Sequence, residues 1–414
     1  MQIPDVPPQL LAALVEAAAG QRLALVGGVV RDLLLHRHHQ DPWRGLPDLD
    51  LVVEGQAADL VARLPAALEH HFGTAIPLRQ QPHGRYGTVE LKLQLPQCLG
   101  GSWLVDLASA RREVYATPAS NPMVSPGTLE QDLERRDFTV NAMALELVHG
   151  GLVEGQLLDP HGGQSDLAAR QLRFLHPQSL SDDPTRMLRA ARYAARLGME
   201  LAPEASERIQ SVLKRWPWTW RLGDAPEDAP PALASRLRME LELLLEREPW
   251  SQGLHQLQHW GVLGLLDPRL QSDDQWRRRL HWAKRLELPL LPCLVANAED
   301  PLGLASRLQL PHRHQTWLRQ MVGLQTKLTR EAWPTGAATW CDWLEAPGVS
   351  VEAVALTIVA GNPAPPQLSH WLFRWRFVQP SVSASDLIRM GWEPGPSLGK
   401  ELKKQRILNL EHYQ

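Results

Sequence analysis

The chain of 414 residues contains no uninterrupted apolar run near the roughly 18 residues of a membrane-spanning helix. Its opening, MQIPDVPPQLLAALVEAAAG, carries no basic n-region of a secretory signal, so a cytoplasmic protein is expected. Cysteine is scarce: Cys98, Cys293 and Cys341 lie far apart and form no CxxC pair. That argues against a disulfide framework and a thiolate zinc site, and suits a reducing compartment. A net charge of -3 supplies no global attraction to nucleic acid, so such a partner would need a local basic surface. No GxGxxG fingerprint or Walker loop is present, which leaves the familiar nucleotide folds unsupported. Internal repeats and low-complexity tracts are also missing. With 44% hydrophobic and 21% charged residues the chain reads as soluble and globular, and its length calls for two or more domains.

The first half alternates short β-branched runs with helical patterns. LALVGG, DLDLVVEG, TVELKLQL, SWLVDLAS and TVNAMALELV read as strands, which predicts a mixed α/β domain over roughly residues 20–150. From about Ser179 the pattern changes. PTRMLRAARYAARLGMEL places apolar residues at helical spacing with arginines between them, and little beyond it looks like a strand. Of 16 tryptophans 14 follow residue 210, so helix packing rather than RNA stacking is their expected role. GDAPEDAPPA (Gly223 to Ala232) and GNPAPPQL (Gly361 to Leu368) read as loops or boundaries within the helical half. The HRHH stretch, His36 to His39, reads as a solvated loop after a helix rather than as a metal site.

Two short segments carry chemistry. In LVGGVVRDLLL the paired Gly27 and Gly28 separate an apolar strand from a helix; glycines permit close backbone approach, and a helix N-terminus offers N–H groups to phosphate. Alone, such a turn is most often merely a turn. In DLDLVV, Asp48 and Asp50 are two apart, so on a strand they share a face, and their neighbours Leu49, Leu51, Val52 and Val53 imply burial. Adjacent buried carboxylates repel unless a cation lies between them, and Mg2+ is the hard ion that prefers such oxygens. Asp106, in LVDLASARRE, is a third acid within an apolar strand. On neighbouring strands the three could hold two Mg2+ ions, which activate an attacking hydroxyl and stabilise leaving pyrophosphate.

GGVVRD, DLDLVV, DLERRDFTVNAMAL and DDPTRMLRAARYAARLGMEL, in that order, closely resemble the class II tRNA nucleotidyltransferase and bacterial poly(A) polymerase family. Strong resemblance covers roughly residues 20–215; RLRMELELLL and DLIRMGWEPGPSLGKEL look like the family's body and tail segments. The resemblance implies an α+β fold, with a polymerase-β-type nucleotidyltransferase head over residues 1–150. It further implies an all-α neck over 151–222 and a helical, tRNA-binding body and tail over 223–414. It places Gly27, Gly28, Arg31 and Asp32 around the triphosphate, and Asp48, Asp50 and Asp106 at the metal-binding positions. Arg136, Asp137 and Asn141 match the motif associated with ribose recognition, and Asp and Asn can hydrogen-bond a 2'-OH. Asp183 and Arg186, with Arg189 continuing their stripe, match the selectors of the incoming base. On one helix face, a carboxylate accepts from the exocyclic amine of cytosine or adenine while a guanidinium donates to the adjacent ring nitrogen or carbonyl. The plain alternative is an i to i+3 salt bridge worth a few tenths of a kcal/mol. One departure stands out: the family usually has Glu-Asp where this chain has Asp182-Asp183, so the first acid is a methylene shorter.

The function so implied is Mg2+-dependent, template-independent addition of CMP, AMP or both to the 3' end of tRNA from CTP and ATP. A poly(A) polymerase using ATP alone would share the motifs, and a CC-only or A-only enzyme is a further division. REVYATPASNPMVSPGTLEQ is where a specificity-switching flexible loop would lie. A non-catalytic RNA-binding protein would not need three clustered acids, and metal-dependent phosphohydrolysis would leave Asp183, Arg186 and the helical half unexplained. Basic candidates for RNA are Arg277, Arg278 and Arg279, and Lys400, Lys403, Lys404 and Arg406; for the second set, RNA contact and a solvated helix face weigh equally. No protein partner is implied.

Overall fold

The structure, a computed structural model, describes residues 3–412 except 47, 84–86, 117–118, 149–156, 216–232 and 362. Two compact units divide at about residue 219, with residues from 234 onward in the second.

The first unit opens with α1 (Pro8–Ala18), β1 (Leu23–Val26), α2 (Gly28–His39), β2 (Leu49–Val53) and α3 (Ala57–Phe72). There follow β3 (Leu78–His83), β4 (Thr88–Gln94), β5 (Ser102–Ser109), β6 (Arg111–Val114), β7 (Met123–Pro126) and α4 (Leu129–Glu134). The unit continues with β8 (Ala144–Glu146), β9 (Leu157–Leu158), α5 (Gly163–Ala168), β10 (Gln171–Leu172), α6 (Ser179–Asp182), α7 (Arg186–Leu197), β11 (Glu200–Leu201) and α8 (Pro203–Arg215). Seven strands form one mixed sheet in the order β3-β4-β5-β2-β1-β8-β9. β2 runs parallel to β5 and antiparallel to β1. All four residues of β1 are buried, and in β2 only Asp50 is not, which is why these apolar runs take central places.

Helices cover the sheet through apolar faces. α3 buries Leu60, Val61, Leu64, Ala67 and Leu68, at helical spacing, and α1 packs on it with Leu10 and Leu14. Each such leucine contributes about 1.5–3 kcal/mol. Elsewhere, Leu129 and Leu133 of α4 join Ala24, Val26, Val52 and Ala144 in a common core. α4 begins with a capping box in which Thr128 Oγ1 accepts from the Gln131 amide while the Gln131 side chain returns to the Thr128 amide. α7 buries Met187, Leu188, Ala190, Ala191, Ala194 and Leu197 and ends at Gly198, whose φ of 62° suits a residue without a Cβ.

The second unit is helical, with α9 (Leu233–Arg247), α10 (Trp250–His259), α11 (Pro268–Ser272), α12 (Trp276–Arg285) and further helices to Glu411; its described residues include no strand. Trp340, Trp371 and Trp375 form a core with Leu344, Val354 and Leu368, and Trp250, Trp260 and Trp276 are also buried. These tryptophans pack helices, as expected. Trp216, Trp218 and Trp220 and the GDAPEDAPPA break lie outside the described residues.

Three expectations need correction. TVNAMALELV is not one strand: Thr139–Asn141 form a 3-10 turn and only Ala144–Glu146 extend. The turn buries Thr139, Val140 and Asn141, so their burial comes from packing and side-chain hydrogen bonds rather than a ladder. HRHH is the last turn of α2 rather than a loop; His36 Nδ1 meets the Asp41 carbonyl oxygen at 2.9 Å. The segment read as a flexible loop contains a two-stranded ribbon, β6 with β7, paired from Arg111↔Pro126 to Val114↔Met123.

Candidate active site

Strand pairing brings the acids together. In the parallel β2–β5 ladder Asp50 lies directly beside Asp106, a match that sequence separation hides. Asp48 sits in the bend just before β2 rather than on the strand, yet oxygens of all three carboxylates lie within 4.8 Å of one another. Burial and the neighbouring Asp48 charge push the Asp50 carboxyl up to about 6, against the opposing pull of Arg136. Burial raises Asp48, and burial with Asp48 and Glu90 raises Asp106. Carboxylate oxygens alone are the donor set of a hard divalent ion, and their shared upward shift marks negative charge that such an ion would offset. The residues therefore fit a divalent metal.

A glycine turn stands beside them. Gly27 has a φ of 70°, and a Cβ there would lie 2.9 Å from Arg136 Nη1 and 3.8 Å from Asp50 Oδ2. The turn needs glycine both for its conformation and for the guanidinium passing over it. It leads into α2, so the first N–H groups of a twelve-residue helix open next to the acids.

Five of the expected residues form a continuous hydrogen-bonded chain, buried at Arg31, Asn141 and Asp137 and partly exposed at its ends, Asp32 and Arg189. Arg31 donates to Asp32 at 2.8 and 3.0 Å and to Asn141 Oδ1 at 2.7 Å. Asn141 donates to Asp137 Oδ1 at 2.9 Å, and Arg189 donates to Asp137 Oδ2 from both Nε and Nη2. The Arg31 guanidinium also lies 5.1 Å from the Tyr193 ring centre on α7. Burial works to raise Asp137, but Arg189, Asn141 and Arg186 prevail and hold it below the usual carboxylate range. Arg136 pairs with the buried Asp132 at 3.0 Å.

Asp183 and Arg186 are arranged differently from a pair on one helix. Asp183 lies between α6 and α7, where its Oδ1 accepts from the Thr185 amide at 3.0 Å and from Thr185 Oγ1 at 2.6 Å. Arg186 begins α7, donating to Ser179 Oγ and, at 2.8 Å, to the Arg135 carbonyl. Its side chain lines a cleft of about 560 Å³ with Glu113, Tyr115, Arg135, His176 and Asp182. Burial raises Asp182, while nearby Arg186 opposes the rise. His176 Nε2 stands 3.9 Å from Asp182, and burial with the Arg186 charge lowers its pKa.

Several neighbours escaped the sequence reading. Glu90 is directly across from Asp106 in the β4–β5 ladder, and His83, at the end of β3, works against the rise of the Asp106 carboxyl. Both come from strands whose register no local pattern reveals. Tyr115, just after β6, donates to Glu113 at 3.1 Å. In the second unit, α12 exposes Arg277, Arg278, His281, Trp282, Lys284 and Arg285 along one helix, whereas Arg279 turns inward to pair with Asp273. Of the C-terminal set Lys400, Lys403 and Lys404 are exposed, Lys403 pairing with Asp342, and Arg406 is bound to Glu345 and the Val378 carbonyl.

Acidic residues on and just before adjacent strands, beside a glycine turn that opens a helix, define a nucleotidyltransferase head. Residues 23–173 match the family described as the Poly A polymerase head domain. The CC-adding tRNA nucleotidyltransferase of Deinococcus radiodurans is 37% identical over 304 residues, covering 72% of this chain and 69% of its own. The A-adding tRNA nucleotidyltransferase of Halalkalibacterium halodurans is 31% identical over 417 residues, covering 94% and 85%. The chain therefore belongs to the tRNA nucleotidyltransferase family, a family of enzymes. Its fold matches a solved CCA-adding enzyme in an apo form with a TM-score of 0.71 at 23% identity, covering 99% of this chain and 96% of that one. The Thermotoga maritima CCA-adding enzyme complexed with tRNA matches with a TM-score of 0.66 at 23% identity, covering 98% and 90%. Among the described residues no helix is long and apolar enough to cross a membrane.

Proposed function

We propose that this chain adds CMP, AMP or both to the 3' end of tRNA, with CTP and ATP as donors and Mg2+ as its ion. The observation that carries the reading is the acidic trio beside Gly27, set within a chain 37% identical to a CC-adding tRNA nucleotidyltransferase. Residues 1–150 serve as the head, 151–222 as the neck and 223–414 as the tRNA-binding body and tail.

Asp48, Asp50 and Asp106 would hold the divalent ion, which when bound supplies positive charge to the reacting phosphate and the attacking hydroxyl. The N-terminus of α2 and the Arg136 guanidinium receive the negative triphosphate. Asp106 takes the proton of the tRNA 3'-OH; the new O–P bond forms at the α-phosphorus as the bond to pyrophosphate breaks, and pyrophosphate carries away the electron pair. Asp183 accepts from the exocyclic amine of cytosine or adenine, and Arg186 donates to the adjacent ring nitrogen or carbonyl. Uracil and guanine offer the reverse pattern at that edge and are refused. Thr185 steadies the carboxylate, and Ser179 with the Arg135 carbonyl steadies the guanidinium. In the body, the exposed basic face of α12 suits phosphate contacts with RNA.

The test is incubation of the purified chain and Mg2+ with tRNAs ending before CCA, after C or after CC, given CTP, ATP or both. Unrelated RNA and the Asp48→Ala variant serve as controls. Growth by C, C and A on tRNA identifies a full CCA enzyme; growth that stops after CC, or begins only there, identifies a partial one. Long A tails on any RNA would replace this reading with a poly(A) polymerase, and no incorporation at all would overturn the catalytic reading.

A further inference from the structure

A second group of metal-ligating side chains lies between the ends of α1 and α3. Glu16 is in the last turn of α1, and His70 and His71 are in the last turn of α3. His70 Nδ1 and His71 Nε2 each stand 2.9 Å from Glu16 Oε2. One oxygen and two imidazole nitrogens thus meet within 4.8 Å. The helices are held in this register by Arg63, whose Nε donates to the Ala17 carbonyl at 2.7 Å.

Electrostatics favour a cation here. α1 ends at Ala18 and α3 at Phe72, so two helix C-termini, each with its partial negative charge, converge on an anionic carboxylate. The donor chemistry differs from that of the acidic trio. Two nitrogens and a carboxylate oxygen suit Zn2+, whereas Mg2+ selects oxygen alone. Around a tetrahedral Zn2+ neighbouring donors lie about 3.3 Å apart, given bond lengths of roughly 2.0–2.2 Å. Both imidazole nitrogens stand 2.9 Å from the carboxylate oxygen, so these two separations need open by only a few tenths of an ångström, and solvent reaches a fourth position because Glu16 and His70 are exposed.

We propose that Glu16, His70 and His71 form a Zn2+ site that staples the N-terminal helix α1 to α3, separate from the acidic trio. Bound Zn2+ replaces the two imidazole hydrogen bonds to Glu16 with metal bonds and favours the folded state, since the unfolded chain does not assemble the three ligands.

The test uses the full chain free of any affinity tag, with excess Mg2+, titrated with Zn2+ by calorimetry and followed by thermal unfolding. His70→Gln and His71→Gln are compared with Asp50→Asn, which separates this site from the acidic trio. One Zn2+ equivalent that raises Tm is expected in the parent and in Asp50→Asn, weakened about tenfold or more in either histidine variant. Co2+ should give ligand-field absorption in the parent that His71→Gln loses. His70→Gln, at an exposed position, should keep the parent's circular dichroism and metal-free Tm, so a lost Zn2+ response there cannot reflect misfolding. Zn2+ affinity and Tm response unchanged in both histidine variants, or a Zn2+ equivalent that only Asp50→Asn removes, would overturn the site and leave a hydrogen-bonded surface cluster.

Discussion

Asn141 joins two oppositely charged buried side chains, and its replacement by alanine tests whether the Asp32–Arg31–Asn141–Asp137–Arg189 chain holds the head together. Its Oδ1 accepts from Arg31 at 2.7 Å and its Nδ2 donates to Asp137 at 2.9 Å. Each bond involves a charged partner and is worth about 1.5–3 kcal/mol. Arg31 keeps Asp32, and Asp137 keeps Arg189 and the Phe138 amide, so part of the loss is compensated. Arg31 and Asp137 are only 2% and 7% exposed, which leaves water little access to the vacated positions. Asn141→Ala should therefore destabilise the first unit by roughly 2–4 kcal/mol. Urea unfolding monitored by hydrogen exchange of amides in β1 and α2 reads that unit alone. A loss below about 1 kcal/mol would refute the claim that these bonds bear on stability, since a single exposed hydrogen bond would account for it.

Asp50→Asn should abolish nucleotidyl transfer while raising Tm in EDTA, because it removes a charge repelled by Asp48 and Asp106; a lowered Tm would show that the acids are not mutually destabilising. Gly27→Ala should cost about 1–3 kcal/mol in this sparsely populated positive-φ conformation and sharply reduce incorporation by displacing Arg136, as read by thermal unfolding and the tRNA assay. For Glu345, burial pushes the carboxyl up, but Arg406 and the Trp371 indole N–H prevail and hold it below its ordinary 4.5. Its pairing thus contributes stability above that value and loses it as pH falls through the lower folded-state value. Acid titration of the second unit's tryptophan fluorescence should show this, with the acid slope reduced in Glu345→Gln.

Local pattern made much of the site legible. The glycine turn was visible because a strand and a helix must be joined there by residues without side chains. Asp50 was conspicuous because charge is rare on an apolar strand. Asp48 was placed on that strand although it lies in the bend before it, since alternation does not mark where a strand begins. Glu90 and His83 were missed because their approach to Asp106 depends on the β4–β5 register and, for His83, on the β3–β4 register as well, neither of which leaves a local trace. The Asp183–Arg186 spacing suggests a shared helix face, whereas α7 begins only at Arg186 and leaves Asp183 outside it, its carboxylate held by the Thr185 hydroxyl.

Composition and periodicity by themselves determined a mixed α/β first half followed by helices, and marked the three acids and the glycine turn as candidates, because burial and backbone freedom act residue by residue; the resemblance supplied the α+β head. Tertiary structure alone decided that Asp50 and Asp106 are neighbours, that Arg31 reaches across to Asn141, and that Glu16 meets His70 and His71. Those contacts join residues 54 to 110 positions apart, and only the packing of whole strands and helices brings such distant side chains within hydrogen-bonding range.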